Sequence, residues 1–86
     1  VRFSLQGRSG RDLDVPGYTC VGGAQVDVDI VVNRQGKVVD AQLRDKDDES
    51  CFGTAALRSA FQARFNAASD APAKQRGRLT YVFVAQ

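Results

Sequence analysis

Val26-Asp27-Val28-Asp29-Ile30-Val31-Val32, Asn33-Arg34-Gln35-Gly36 and Lys37-Val38-Val39-Asp40-Ala41-Gln42-Leu43 form one continuous stretch, and its reading decides the fold. In the first run Val26, Val28, Ile30 and Val32 fall on one side of an extended chain, with Asp27, Asp29 and Asn33 on the other. Val31 is the only apolar residue on the polar side. Successive strand side chains point to opposite faces, so this pattern predicts a half-buried strand. The second run alternates as well, Val39, Ala41 and Leu43 against Asp40 and Gln42. Between the runs, Asn33 can hydrogen-bond its own turn backbone, and Gly36 can take the positive φ that closes a bulged turn. The stretch is predicted to be a β-hairpin.

The 86 residues make one small domain. A chain of this length buries only ~60–65% of its unfolded surface, so its core is thin and a covalent staple would help. Hydrophobic content of 43% and charged content of 26% fit a globular domain. There is no histidine, which removes the usual general base near neutral pH and the commonest metal ligand. No nucleophile–base spacing is recognisable either, so neither catalysis nor a metal or other cofactor is expected. A net charge of +2 lacks the strongly basic balance of a nucleic-acid binder. No apolar run approaches the ~20 residues that span a membrane, and no signal peptide is recognisable. The chain starts at Val1 rather than Met, which points to a processed protein or a piece of a longer one.

Outward from the hairpin, Val1-Arg2-Phe3-Ser4-Leu5 alternates and predicts a strand, followed by a Gly7–Arg11 turn with solvated arginines. A Gly- and Arg-rich turn can also cradle a phosphate, but no strand–loop–helix context supports that here. Leu13 and Val15 alternate with Asp12 and Asp14 as a short strand that Pro16 and Gly17 end. After Leu43 comes the charged run Arg44–Glu49; its spacing lacks the central Gly and distal Glu of an EF-hand, so it reads as a solvated loop before a helix. Ser50 is a plausible N-cap, and Cys51 to Phe65 reads as the one clear helix. Its apolar stripe is Phe52, Ala56, Leu57, Ala60, Phe61 and Phe65. Asn66 to Gly77 reads as a loop, and Arg78 to Ala85 as a last strand, apolar on both faces. The expected fold is α+β: a two-layer sandwich of a three-stranded antiparallel sheet with one helix on one face and an N-terminal β-arm over residues 1–15.

These residues resemble the TonB C-terminal domain family, in the short form found in Bacteroides-type bacteria. The resemblance rests on Pro16 and Tyr18, on Gly22-Gly23, on the strand Val26 to Val32 and on Asn33-Arg34-Gln35-Gly36-Lys37-Val38. It continues through Ala55-Ala56, Ala60-Phe61, Phe65 and the strand Leu79 to Val84, and so spans about residues 16–86. Asn66 stands after Phe65 where the family often has Pro, and a charged loop replaces its usual Ser/Gly-rich one.

The resemblance implies a periplasmic domain that carries energy from an inner-membrane motor complex, through an anchor segment not present in these residues, to outer-membrane transporters. A transporter's short N-terminal segment would add as a strand beside the last strand, here Arg78, Leu79, Thr80, Tyr81, Val82, Phe83 and Val84. Open backbone groups would supply affinity and alternate side chains selectivity. The alternative placement has that strand interior, or covered by the N-terminal arm. In the implied fold Cys20 and Cys51 can meet at one end of the sheet, and an oxidising compartment would let them pair; two buried free thiols are the alternative. A regulatory or sensing interaction module with the same fold is the competing function. Apolar residues on both faces of the last strand also leave a strand-exchanged homodimer open.

Overall fold

The computed structural model describes residues 2–12, 21–44 and 51–84. Seven elements follow in chain order: β1 (Arg2–Ser4), β2 (Gly10–Asp12), β3 (Ala24–Val32), β4 (Val38–Leu43), α1 (Cys51–Gln62), β5 (Arg64–Phe65) and β6 (Gln75–Phe83). The domain is α+β, with an antiparallel sheet in the order β1-β6-β3-β4 and a helix against one face. The expected sheet had three strands. The fourth is β1, which pairs along β6. A second, two-stranded sheet joins β2 to β5.

The hairpin forms where its alternation placed it. Val26, Val28, Ile30 and Val32 are buried on the helix side, joined there by Val38 and Ala41 of β4. Burying each of the larger side chains is worth about 1.5–3 kcal/mol. The turn is closed by Asn33 N–H donating to the Lys37 carbonyl at 3.0 Å and Gly36 N–H to the Asn33 carbonyl at 3.1 Å. Lys37 N–H donates to Asn33 Oδ1 at 2.9 Å, and Gly36 has φ +89°. The ladder slips between Val31 and Val32, leaving Val39 as the extra residue of a bulge.

The helix buries Phe52, Gly53, Ala56 and Ala60 against the sheet, lying mainly over β4 and β3. It stops at Gln62, not at the expected Phe65. Ala63 N–H turns back to the Ala60 carbonyl, and the Arg64 guanidinium donates to the carbonyls of Phe61 and Ala63 at 3.3 and 2.9 Å. A cation on the last free carbonyls is a recognised way to end a helix. Phe61, expected in the buried stripe, is therefore half-exposed, while Phe65 is buried from a strand.

Arg64–Phe65 is a strand because it pairs with β2, Gly10↔Phe65 and Asp12↔Arg64, and it crosses the hairpin tip as well. Phe65 N–H donates to the Gly36 carbonyl at 2.9 Å, and Lys37 bridges to Arg64. A Cβ on Gly36 would overlap the Phe65 carbonyl oxygen, so this glycine is required by close approach as well as by its φ. The turn after β1 also departs from expectation. Arg8 is not solvated but 7% exposed. Its guanidinium donates to the Asn66 carbonyl at 2.8 Å and the Asn33 carbonyl at 3.0 Å, tying the N-terminal turn to the hairpin tip and the segment after β5. The expected short strand at Leu13–Val15, the charged Arg44–Glu49 loop beyond Arg44, and the Ser50 N-cap lie outside the described residues.

Gly36→Ala is expected to lower the unfolding free energy by about 2 kcal/mol or more, read from urea midpoints. Gly22 shares the φ of +89°, but a Cβ there would meet nothing within 4 Å, so Gly22→Ala should lose only about 1 kcal/mol. Equal losses would show that the Phe65 crossing contributes nothing. Arg8→Ala strands two carbonyl acceptors and should cost about 2–3 kcal/mol in the same assay.

Candidate functional site

The expected binding strand, Arg78 to Val84, falls in β6 and the residue after it. Leu79, Tyr81 and Phe83 are buried towards the helix, and the Phe83 and Phe52 rings lie 5.2 Å apart. Arg78 and Thr80 are half-buried, and Val82 and Val84 are exposed. The strand starts three residues earlier than its composition suggested, because Gln75, Arg76 and Gly77 pair with Val32, Val31 and Ile30. A fixed partner strand outweighs the weak strand preference of Gln and Gly.

Arg78, Leu79 and Thr80 are not an open edge. β3 lies along one side of them and β1 along the other, in the register Arg2↔Thr80, Phe3↔Leu79 and Ser4↔Arg78. All three β1 side chains are exposed. Phe3, at 37%, rests edge-on against Phe65 with ring centroids 5.4 Å apart. The firm hold on the arm begins after the strand, where Leu5 is 6% exposed and reaches β6 at Gly77. A Cβ on Gly77 would lie 2.6 Å from Leu5 Cδ1 and 2.8 Å from the Ser4 carbonyl oxygen. Gln75 Nε2 adds a hydrogen bond to the Gln6 carbonyl at 2.6 Å. Covering by the N-terminal arm was the alternative placement in sequence, but the seat of Leu5 on Gly77 was missed because Gly77 looked like loop. A glycine two residues before an alternating run was the available signal.

The opposite edge of the sheet, β4, pairs with β3 among the described residues. Its bulge at Val39 and the exposed Asp40 and Gln42 are features that discourage a further strand. The sheet face away from the helix is polar. Thr80 Oγ1 donates to Asp27 at 2.8 Å, and Arg44 and Arg78 lie 3.4 and 3.7 Å from Asp29. These exposed pairs fix side chains more than they stabilise the fold.

On the buried face, the Tyr81 hydroxyl bonds Ser59 Oγ at 3.1 Å. Burial raises the Tyr81 phenol above its ordinary value of 10.0, and the Ser59 bond partly offsets this. Cys51 is the first helix residue, and Cys20 lies outside the described residues; among those described there is no free cysteine. Among the described residues no three His, Cys, Asp or Glu side chains gather in a way that could hold a metal ion. No described helix is long and apolar enough to cross a membrane.

No protein-family model, curated protein or solved structure matches the chain.

Tyr81 gives the buried face a pH signature. A phenol whose folded-state pKa is raised stabilises the fold below the unfolded value of 10.0, and that contribution is lost as pH rises past it. Between about pH 9 and 11 the wild type should therefore lose more stability than Tyr81→Phe, which keeps the ring but cannot ionise. At neutral pH the same variant should cost about 0.5–1.5 kcal/mol through the lost Ser59 bond. Parallel stability–pH curves for the two proteins would rule this out.

Proposed function

We propose that this domain is a periplasmic protein-interaction module that takes an extended partner segment as an added strand along β6. In its most specific form the reading is that of a TonB-type energy transducer. The partner is then the N-terminal segment of an outer-membrane transporter, and the force comes from an inner-membrane motor complex through an anchor outside these residues. One observation carries the proposal: the side of β6 away from β3 is covered over Arg78–Thr80 by three residues whose side chains are all exposed. A strand held largely by its backbone can be exchanged for another, since ladder hydrogen bonds are much the same whichever chain supplies them. The order β4-β3-β6, with a helix between hairpin and return strand, also supports the resemblance on which the transducer form rests.

A Cys20–Cys51 bridge belongs to this proposal, and the lack of a free cysteine among the described residues supports it. Such bridges persist in oxidising compartments, which include the periplasm. The second reading, a regulatory interaction module, draws support from the same β1 segment, because a covered edge can be opened or closed.

The test is a titration of isotope-labelled domain with N-terminal peptides of outer-membrane transporters. Amide shifts centred on Arg78–Phe83 are expected. No shift with any such peptide removes the transducer form. Intact mass should be lower by a hydrogen pair than that of the reduced protein, and reduction should cost about 3–4 kcal/mol. Free thiols in protein taken from an oxidising compartment would refute the bridge.

A further inference from the structure

The geometry points to β1 as a placeholder that the chain lays on its own binding edge, with Phe3 marking the seat an incoming aromatic or large apolar side chain must take. This rests on the strand-addition reading and names both the regulation of that site and the selectivity of its partner.

The hold on the N-terminal segment is uneven along its length. From Leu5 onward it is firm: Leu5 is buried beside Gly77, Gln6 accepts from Gln75, and Arg8 is clamped to the Asn33 and Asn66 carbonyls. Before Leu5 it is slight. Arg2, Phe3 and Ser4 are exposed, and Phe3 makes a ring contact with Phe65. Segments with few buried contacts open far more readily than the core. Arg2–Ser4 can therefore peel from β6 while Leu5–Arg8 keeps the segment in place.

Peeling uncovers the β6 backbone over Arg78–Thr80 and the Phe65 ring together. An incoming strand inherits the same alternation. The residue opposite Leu79 faces Phe65, while those opposite Arg78 and Thr80 face the polar side, beside Asp27 and Gln25. The fitting partner is thus an extended segment with an aromatic or large apolar residue flanked by polar ones, which is the pattern Arg2-Phe3-Ser4 itself carries.

The chain's own sequence supplies the probe: a synthetic peptide of residues 1–8, added to the full labelled domain at millimolar concentration. Shifts are expected at Arg78–Thr80 and at the Phe65 ring. The peptide should bind the Phe3→Ala protein roughly fivefold more tightly than wild type, because weakening the placeholder raises the fraction of open edge. A peptide carrying the same Phe→Ala change should bind more weakly to either protein. Weaker binding to the Phe3→Ala protein, or no shift at Arg78–Thr80, overturns the inference. Amide hydrogen exchange tests it without any peptide. The Arg2–Ser4 amides should exchange much faster than those of Val26–Ile30, and equal protection overturns the inference. A mass that doubles with concentration, through arms exchanged between two copies, overturns it in favour of self-association. Failure of transporter peptides alongside success of the residue 1–8 peptide would remove the transducer form and leave the placeholder standing.

Discussion

The pairing of β3 with β6 is the constraint on which everything else here depends. It runs from Ala24↔Phe83 to Val32↔Gln75 without a break in register. One face of the pair carries Val26, Val28, Ile30 and Val32 beside Leu79, Tyr81 and Phe83, all buried. A slip of one residue would send every one of these to the polar face, so the register is fixed by the core it makes. With that pair in place, β4 can attach only to the outer side of β3, and β1 only to the outer side of β6. The helix then covers the apolar face with alanines at closest approach and Phe52 filling the gap to Phe83.

The two flanks attach by different physics. β4 is covalently close, joined by a short turn, and shares the buried layer through Val38 and Ala41. β1 comes from the far end of the chain and brings no buried side chain of its own; its anchors lie beyond it, at Leu5 and Arg8. Arg8 is an unusual anchor. It is a buried cation held by two backbone carbonyls, and its Nε has no hydrogen-bond partner among the described residues. Desolvating a guanidinium is costly, and carbonyl dipoles offset that only where several converge. They converge here because the hairpin tip and the segment after β5 already meet.

The hairpin, the helix start and the last strand were legible in the sequence because each is specified by its own neighbours. Alternation named Val26 to Val32, and Asn33 and Gly36 named the turn. What was not legible depends on partners distant in sequence. Phe65 fits the helical stripe by spacing, and only its distant partners, Gly10 of β2 and the Gly36 carbonyl, make it a strand. Arg8 looks like any turn arginine until Asn33 and Asn66 are placed beside it. Gln75-Arg76-Gly77 has loop composition, and β3 alone draws it into the sheet. The candidate site shows the same division. The candidate strand and its covering by the N-terminal arm could both be named from sequence, but which placement holds could not, because β1 alternates without saying what it pairs with.

The tip of the β3–β4 hairpin is where these distant partners gather. Asn33 is held by Arg8, Arg34 by Ala68 and Ala71, Gly36 by Phe65 and Lys37 by Arg64. A two-strand turn is ordinarily the most permissive place in a domain, where extra residues, tags and chain cuts are accepted at little cost. In this protein that permission is withdrawn. Although Arg34, Gln35 and Lys37 are exposed, the backbone of the tip is committed, and length variation at residues 33–37 would disturb the N-terminal turn, the exit from the helix and the approach to β6 together. For anyone grafting an epitope or splitting the chain, this hairpin tip is the loop to leave alone.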